Sequence, residues 1–441
     1  MPSTNRRRFL SAMAAVTAGS FGSLVPCAEG ATTGAAAIAI DSSASWEEVR
    51  RLFELRTDRI HMAGLLFASN PRPVSEAIAR HREELQRDPA SYISHERWRL
   101  EGEVLKSASS YLGVLPADIA LTDSTSMGLG LLYSGLRLTP RDEIVTTTHE
   151  HYATESAIAV CADRTGCGVK RIEMYKDPST ATADAIVDAV RRALNPSTRV
   201  LAITWVHSGT GVKAPIRAIA DLVGGLNAQR GPDRRIYLCV DGVHGLGIES
   251  ESLPELGCDF FAAGTHKWMF GPRGTGILWG RADAWHMTRP AIPTWEPGVF
   301  YSTIGWRERP EVGGGQIMTP GGYHAFDHTW ALGSAFEFHA SLGKSRVKDR
   351  VHTLNRQLKE GLRAMKHVRV YTPLSESLSS GIVCFDVDGM APDKVVNALA
   401  DRGILASRTP YRTPYARLCP GLLTPGNDVD RTLEAVRRLA S

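Results

Sequence analysis

The sequence predicts an α/β protein with a large domain built on a mostly parallel seven-stranded sheet and a smaller α+β domain. Seven short apolar runs alternate with amphipathic stretches between residues 119 and 279, the pattern of parallel strands connected by helices. After Gly343 the pattern changes to longer helical stretches with fewer apolar runs. Polar clusters follow several of the runs, at the strand ends where open parallel sheets bind ligands.

The elements follow in order along the chain. Ser45 and Glu48 form a capping box that predicts a helix over residues 45–59, and Pro71 and Pro73 separate it from a helix at 74–86. The seven predicted strands of the large sheet share short, apolar sequences and comprise residues 119–121, 143–147, 169–173, 200–205, 236–241, 260–263 and 276–279.

The region after Gly343 predicts the second, smaller domain. Its elements are a helix, two strands and two further helices, at residues 347–366, 368–371, 381–386, 392–402 and 428–439. We expect the N-terminal helix to join this domain. The predicted organisation is therefore a large domain over 76–340 and a small domain formed by 31–75 together with 341–441.

The composition favours a globular protein with a small-molecule substrate. Hydrophobic residues make up 43% of the 441 residues and charged residues 22%, which argues against disorder. The 51 basic and 47 acidic residues leave a net charge of +4, and Arg6, Arg7 and Arg8 contribute three of these charges. A nucleic-acid-binding protein normally carries a basic stripe with interleaved aromatic residues, so no nucleic-acid partner is expected.

Residues 1–30 have the pattern of an export signal. Arg6, Arg7 and Arg8 precede a short apolar run over residues 12–25, and small residues before Ala31 suit cleavage. The paired arginines resemble the twin-arginine signal that exports folded bacterial proteins, which implies a periplasmic location and the twin-arginine machinery as a partner. The alternative is a basic tail or a membrane anchor. Stable membrane insertion is not expected, because the run is shorter than the ~20 residues that a span needs.

Six cysteines follow Cys27 in the sequence. Cys161 and Cys167 are the nearest pair, and a disulfide in an oxidising compartment is the alternative to the buried free thiols that we expect. The cysteines and histidines do not follow the spacing of a metal site, so no metal is predicted.

Asp241 and Lys267 carry the strongest chemical signal. Asp241 ends an apolar strand, and Lys267 follows the next predicted strand 26 positions later. Pyridoxal 5'-phosphate condenses with a lysine to form an imine, and an aspartate beside its pyridine nitrogen keeps the ring protonated as an electron sink. These two residues are placed for those roles.

Around this pair the sequence resembles the class V, or cysteine desulfurase-like, subgroup of fold-type I pyridoxal phosphate enzymes, over about residues 46–440. The resemblance implies that Asp241 binds the pyridine nitrogen and that Lys267 forms the imine. It places His244 beside the phenolic oxygen of the cofactor. The implied phosphate contacts are Thr125, Ser126 and His266.

The resemblance also implies residues for stacking and for substrate binding. His151 matches the ring that stacks on the cofactor, although Tyr152 is an alternative, and with Lys267 and Asp241 it completes the predicted catalytic set. Ser208 matches a contact to the phenolic oxygen, the alternative being a loop hydrogen bond. Arg417 matches the arginine that binds the α-carboxylate of the substrate. Arg408 is a second candidate anion contact, against the alternative of a surface arginine.

Two departures from the family pattern qualify the resemblance. Members usually carry a Gly-Thr pair whose threonine binds the phosphate of the partner subunit in a homodimer. The corresponding stretch here lacks it, which leaves Thr329 and Thr319 as candidates. Desulfurases carry a nucleophilic cysteine shortly after an arginine of the small domain, and the residues after Arg408 include none. Sulfur abstraction through a persulfide is therefore not expected.

Within class V the sequence is most similar to the isopenicillin N epimerase-like group, and it resembles periplasmic enzymes that modify pyoverdine-type siderophores. The first hypothesis is an exported enzyme acting on the amino group of an amino acid or peptide natural product, by transamination, epimerisation or oxidative decarboxylation. The alternatives are a C–S or C–C lyase and a binding protein without catalytic activity. A homodimer is expected because the cofactor site of this fold lies at a subunit boundary.

Overall fold

The structure is a computed structural model that describes residues 40–305 and 312–440. The predicted export signal, at residues 1–30, lies outside the described residues. Among the helices of the described part, none is both long and apolar enough to cross a membrane.

The α-helices of the described chain are numbered in order. They are α1 (Trp46–Arg50), α2 (Arg72–Arg87), α3 (Pro89–Leu112), α4 (Thr125–Gly135), α5 (Tyr152–Thr165), α6 (Ala183–Ala193), α7 (Ile216–Asn227), α8 (Leu253–Leu256), α9 (Pro297–Thr303), α10 (Gly314–Met318), α11 (Phe326–Leu342), α12 (Lys344–Arg363), α13 (Pro392–Ala400) and α14 (Gly426–Arg437).

The β-strands are numbered in the same way. They are β1 (Ile60–His61), β2 (Ile119–Thr122), β3 (Glu143–Thr147), β4 (Gly168–Ile172), β5 (Thr198–Thr204), β6 (Tyr237–Asp241), β7 (Phe260–Gly264), β8 (Gly276–Gly280), β9 (Val368–Val370), β10 (Val383–Val387), β11 (Ile404–Leu405), β12 (Ser407–Arg408) and β13 (Ala416–Leu418).

The central sheet has seven strands in the order β2-β8-β7-β6-β5-β3-β4. The pairs from β7 to β4 are parallel, whereas β8 is antiparallel to both of its neighbours. The predicted α/β fold with a mostly parallel seven-stranded sheet is therefore confirmed. Each predicted strand is present within two residues of its expected bounds.

Both faces of this sheet are buried, which is why its strands read as continuous apolar runs. Successive side chains of a strand point to opposite faces. On β6, Leu238 and Val240 belong to one apolar cluster, while Tyr237 and Cys239 belong to another. The sheet is thus a layer between two cores, and this double burial holds the strand ends in place.

The C-terminal part forms a separate antiparallel sheet with the order β12-β13-β10-β9. Its core also takes up Ile60 and Met62 from the N-terminal region, and β1 pairs in parallel with β11. This packing agrees with an N-terminal contribution to the small domain. The domain boundaries themselves stay a prediction.

The first helix differs from its prediction. The capping box between Ser45 and Glu48 is present, but α1 ends at Arg50 rather than at residue 59. The residues after it lead into β1, where Ile60 aligns with Ile404. Pairing with a strand more than 300 positions away draws these residues out of the helix, a tertiary effect that local propensity does not contain.

The six cysteines within the described residues are buried and unpaired in this structure. They lie in the apolar clusters or beside them, where a thiol packs as a small hydrophobic group. Cys161 and Cys167, the nearest pair in sequence, are both part of the cluster beneath α5.

Candidate active site

A cavity of about 250 Å³ opens at the carboxyl edge of the seven-stranded sheet. Ligands of open α/β sheets bind at this edge. Nine of the ten predicted site residues line the cavity: Thr125, Ser126, His151, Ser208, Asp241, His244, His266, Lys267 and Arg417. Residues from widely separated parts of the sequence therefore meet as expected, although their individual roles stay predictions.

Asp241 is the last residue of β6, and its carboxylate is almost fully buried at the base of the cavity. Its Oδ1 accepts a hydrogen bond from the Val243 N–H at 3.2 Å. Burial raises the pKa of Asp241 to about 6, and the Val243 N–H and the charge of Lys267 offset only part of this rise. Among the described residues the carboxylate thus has few partners, and a cationic group placed beside it would stabilise its charged form.

Lys267 follows β7 after a loop of two residues. Burial lowers its pKa to about 8, against the opposing effect of Asp241, and the charge of Arg417 lowers it further. A substantial fraction of this amine is therefore neutral near physiological pH, which an amine that acts as a nucleophile requires.

His244 contacts the Lys267 amine, with its Nε2 3.4 Å from Nζ. On the other side of the ring, Trp268 Nε1 donates to His244 Nδ1 at 3.3 Å. Burial, followed by the charges of Lys267 and Arg417, holds the pKa of His244 well below its ordinary value, so the ring is neutral. Because Nδ1 accepts from Trp268, the proton of the neutral ring is on Nε2 and points at the lysine.

The start of α4 also lines the cavity. Ser124 caps this helix by accepting from the Met127 N–H, and Thr125 Oγ1 accepts from the Gly264 N–H at 2.7 Å. The Nδ1 atom of His266 is buried there without a hydrogen-bond partner in the described structure. A helix N-terminus together with an unpaired ring nitrogen suits an anion such as a phosphate.

Arg417 lies on β13 and is 2% exposed. Its Nε donates to Ser407 Oγ at 3.0 Å, and its Nη1 donates to the Ser208 carbonyl at 2.7 Å. These bonds orient the guanidinium toward the cavity, and Nη2 makes no hydrogen bond within the described part of the chain. This atom is therefore available to a carboxylate, and substrate binding by Arg417 stays a prediction.

His151 rather than Tyr152 faces the cavity. His151 is the N-cap of α5, where its Nδ1 accepts from the Ala153 N–H at 3.3 Å. Tyr152 is 70% exposed and is not one of the residues that line the cavity. The geometry thus favours the predicted stacking residue over its alternative.

Arg408 is the predicted site residue that the structure does not bring to the cavity. Strand β12 directs its side chain to the surface, where it is exposed and pairs with Asp393 at 3.5 Å. A second carboxylate contact from Arg408 is therefore not supported. Its position agrees with the alternative expectation, that Arg408 is a surface arginine.

The two threonines considered for a cross-subunit phosphate contact also differ. Thr319 Oγ1 accepts from the Leu121 N–H at 3.2 Å and donates to the Gly315 carbonyl, so it ties α10 to β2. Within residues 40–305 and 312–440, the Thr329 hydroxyl makes one weak hydrogen bond, to the Ala325 carbonyl at 3.3 Å. Thr329 is the more available of the two.

Two features of the site were not predicted. Tyr411, from the loop between β12 and β13, lines the cavity and shares a 2.7 Å hydrogen bond with Ser208 Oγ. Its signal in the sequence is its position shortly after Arg408, where desulfurases carry their cysteine.

Glu150 is buried behind the cavity, where it bonds Thr147 and Thr204 and thereby joins the ends of β3 and β5. The sequence offers no signal for the role of Glu150 comparable to that for Tyr411, because a carboxylate next to His151 does not by itself indicate a buried link between two strands.

Comparison with known proteins places the chain in a family. Residues 70–408 match the model of the class V aminotransferases. The chain is similar to the isopenicillin N epimerases of Amycolatopsis lactamdurans, at 25% identity over 84% of this chain and 92% of that protein, and of Streptomyces clavuligerus, at 24% identity over 90% and 98%. Its fold is similar to that of the cystine C–S lyase C-DES in complex with cysteine persulfide, with a TM-score of 0.76, 20% identity, and coverage of 86% of this chain and 98% of that one.

Pyridoxal phosphate is the cofactor of this family, and the residues present fit it. The unpaired Nδ1 of His266 and the start of α4 suit the phosphate, and the under-partnered carboxylate of Asp241 suits the pyridine nitrogen. Lys267 would hold the aldehyde carbon. When bound, the cofactor draws electrons from the bonds at the α-carbon of the substrate. The chain belongs to the class V aminotransferase family, and it is a pyridoxal phosphate enzyme.

Proposed function

We propose that the protein is an exported enzyme that moves a proton at the α-carbon of an amino acid, or of a terminal residue of a peptide natural product, and that the reaction is an epimerisation. One observation carries the proposal. Lys267, with a pKa near 8, and Arg417, with a free Nη2, face the same cavity. Arg417 would hold the α-carboxylate while the lysine amine removes the α-proton.

Epimerisation is favoured over sulfur abstraction by the absence of a cysteine from the cavity lining in the described residues. Persulfide chemistry needs a thiolate within reach of the substrate. The six described cysteines are buried elsewhere, and burial raises the pKa of Cys384 to about 12. The similarity to two isopenicillin N epimerases over most of the chain supports the same choice. Transamination also begins with removal of the α-proton, whereas oxidative decarboxylation breaks the bond between the α-carbon and its carboxylate. Both are outcomes to be separated from epimerisation by experiment.

A C–S or C–C lyase is the second candidate. Cleavage of this kind also starts at the α-carbon, and release of the sulfur with the product requires no cysteine from the protein. The fold similarity to a cystine C–S lyase favours this alternative over a C–C lyase.

The test uses purified holoenzyme with amino acids, cystine and pyoverdine-type siderophore peptides in deuterated water. An epimerase exchanges the α-hydrogen for deuterium and yields both configurations, which mass spectrometry and chiral chromatography measure. Keto acid formation would identify a transaminase, loss of carbon dioxide a decarboxylase, and persulfide with pyruvate a lyase. A wild-type enzyme that exchanges no α-hydrogen with any of these substrates would refute the proposal.

The proposal includes export to the periplasm by the twin-arginine machinery. It is supported by Arg6 and Arg7 ahead of the short apolar run. Replacing both arginines by lysine should leave active holoenzyme in the cytoplasm, because the signal is read by a receptor and adds nothing to the core. Cell fractionation measures this outcome. Full periplasmic delivery of the variant would contradict it.

A homodimer is part of the same proposal. Leu66 lines the cavity yet is 53% exposed in the single chain, and Phe67 beside it is 48% exposed. A partner subunit would cover these apolar side chains at the cavity mouth. Light scattering should give twice the mass of the chain. A monomer that retains full activity would contradict this part of the proposal.

A further inference from the structure

We propose that Tyr411 is a catalytic acid that delivers a proton to the α-carbon of the substrate from the side opposite Lys267. This inference rests on the proposed epimerisation and deepens it. Inverting a carbon centre requires proton removal on one face and proton delivery on the other. Lys267 is suited to the first step, and the second needs a proton donor on another wall of the cavity.

Tyr411 enters the cavity from a different wall than Lys267. Lys267 follows β7 of the large sheet and contacts His244. Tyr411 lies on the loop between β12 and β13 of the small sheet, with its ring 6.4 Å from that of His151 in an edge-to-face arrangement. His151 and His244 belong to separate elements of the cavity. The lysine amine and the phenol therefore belong to different walls of one cavity.

The loop holds the phenol in a defined position. Thr409 donates its N–H to the Tyr415 carbonyl, and Tyr415 donates its N–H to Thr409 Oγ1, both at 2.9 Å, which closes the base of the loop. The ring then packs on Gly209, where an added Cβ would lie 2.8 Å from Cδ2 of Tyr411. Glycine at this position thus permits the close approach of the ring.

The hydroxyl of Tyr411 is tied to the substrate-binding arginine through one residue. It shares a 2.7 Å hydrogen bond with Ser208 Oγ, and the carbonyl of the same serine accepts from Arg417 Nη1 at 2.7 Å. Arg417 would hold the α-carboxylate, which is bonded directly to the α-carbon. The phenol is therefore positioned relative to the atom that must receive the proton.

The phenol is an acid rather than a base at neutral pH. Burial raises its pKa to about 12, although the hydrogen bond with Ser208 partly opposes the rise. Its proton is therefore present when substrate binds. The neutral amine of Lys267, by contrast, is available to accept one.

The proposed proton transfers balance. Lys267 Nζ takes the proton of the α-carbon as the C–H bond breaks, and the electron pair of that bond forms the new C–H bond with the proton of Tyr411. The resulting ammonium of Lys267 then gives one proton to water, and the phenolate of Tyr411 takes one proton from water, so both groups return to their starting states. No oxidant or reductant is required, and the product differs from the substrate only in configuration.

The test separates α-hydrogen exchange from inversion in deuterated water. In Tyr411→Phe, Lys267 still removes and returns a hydrogen on its own face, so exchange with retained configuration should stay within about threefold of wild type. Inversion should fall by about 10²-fold or more, the usual contribution of a general acid. The Tyr415→Phe variant is the matched control, because Tyr415 ends the second copy of the same Thr-Pro-Tyr sequence and packs on Tyr371 away from the cavity.

Equilibrium binding of pyridoxal phosphate provides a readout besides activity. Tyr411→Phe apoenzyme should bind the cofactor with wild-type affinity, whereas Ser208→Ala should bind it more weakly if Ser208 contacts the cofactor as predicted. Loss of exchange and of cofactor binding together in Tyr411→Phe would assign Tyr411 a structural role and overturn the inference.

Two other outcomes also overturn it. The first is a Tyr411→Phe enzyme in which inversion still keeps pace with exchange. The second is a wild-type enzyme that exchanges the α-hydrogen without inversion, which refutes both the acid role and the proposed epimerisation while leaving the lysine chemistry intact. The first outcome refutes the role of Tyr411 alone, so a failure of this inference is distinguishable from a failure of the proposed function.

Discussion

Two buried carboxylates in this protein have opposite environments. Glu249 accepts hydrogen bonds from His352, Ser380 and Lys213 at 2.9, 2.6 and 2.8 Å. Burial alone would raise its pKa, but the His352 bond and the Lys213 charge hold the pKa at about 2. In the described part of the chain, Asp241 has one N–H donor, at 3.2 Å, and its pKa is about 6. The comparison teaches that a fully partnered buried carboxylate is structural, whereas an under-partnered one at a strand end is available to a ligand.

The largest effect is expected from Lys267→Ala. Removing the amine should abolish the visible absorbance of the bound cofactor and lower turnover by more than about 10³-fold. Lys213→Ala is the matched control, because Lys213 also lies beside a buried carboxylate but outside the cavity. It should keep the absorbance and lose stability instead. Wild-type turnover in Lys267→Ala would refute the site assignment.

Asp241→Asn should have the next largest effect on the reaction. An amide cannot hold the ring nitrogen in its protonated form, so the loss is several kcal/mol, or about 10²-fold to 10³-fold in rate. Some cofactor should remain bound through Lys267 and the phosphate contacts. Single-turnover kinetics measure the effect, and an unchanged rate would contradict the assigned role of Asp241.

Stability should respond to the two carboxylates with opposite signs. The pKa of Glu249 is below its ordinary value of 4.5, so its stabilising contribution is complete above pH 4.5 and is lost as the pH falls toward 2. Glu249→Gln should therefore lower the free energy of unfolding at pH 7 by about 3 kcal/mol.

The pKa of Asp241 is raised above 3.8, so the folded apoprotein loses stability as the pH rises from about 3.8 to 6. Asp241→Asn should thus stabilise the apoprotein at pH 7, by about 1–3 kcal/mol. Urea unfolding of both variants without cofactor tests the comparison. If both substitutions changed the free energy of unfolding in the same direction, the contrast between Glu249 and Asp241 would be wrong.

The smallest effect is expected from Arg408→Ala. Its exposed ion pair with Asp393 contributes less than about 1 kcal/mol, and its side chain lies outside the cavity. KM should be unchanged, whereas Arg417→Lys should raise KM because one amine cannot reproduce the guanidinium contacts to Ser208 and Ser407. Steady-state kinetics on the identified substrate compare the two. An equal rise in KM for Arg408→Ala and Arg417→Lys would indicate that Arg408 also binds the substrate.

Most of the sheet and of its functional edge was predictable because the signals are local. A strand buried on both faces is a short apolar run, and its end is marked by the first polar residue, as at Asp241. Thr125 and His266, the predicted phosphate contacts, also lie within three residues of the ends of β2 and β7. Their meeting point follows from the shared edge of a parallel sheet.

The errors have a different origin. Residues 51–59 leave the predicted helix because β1 pairs with a strand near the C-terminus. Arg408 and Arg417 lie on the neighbouring antiparallel strands β12 and β13. Arg417 is opposite Ser407 in the sheet, whereas Arg408 is opposite Ala416. Successive side chains of a strand point to opposite faces, so the register of the pairing decides which arginine faces the cavity. The amino-acid composition does not reveal this register.

The sequence by itself determined the α/β class, the order of the strands along the chain and the positions of Asp241 and Lys267 close to strand ends, since each depends on neighbouring residues. Only the tertiary structure decided that Tyr411 reaches Ser208, that Arg408 does not reach the cavity and that Asp241 lacks the partners that Glu249 has. These features depend on contacts between residues far apart in the chain. Burial and hydrogen bonding at such contacts set both the position and the pKa of each group, and neither is defined before the chain is folded.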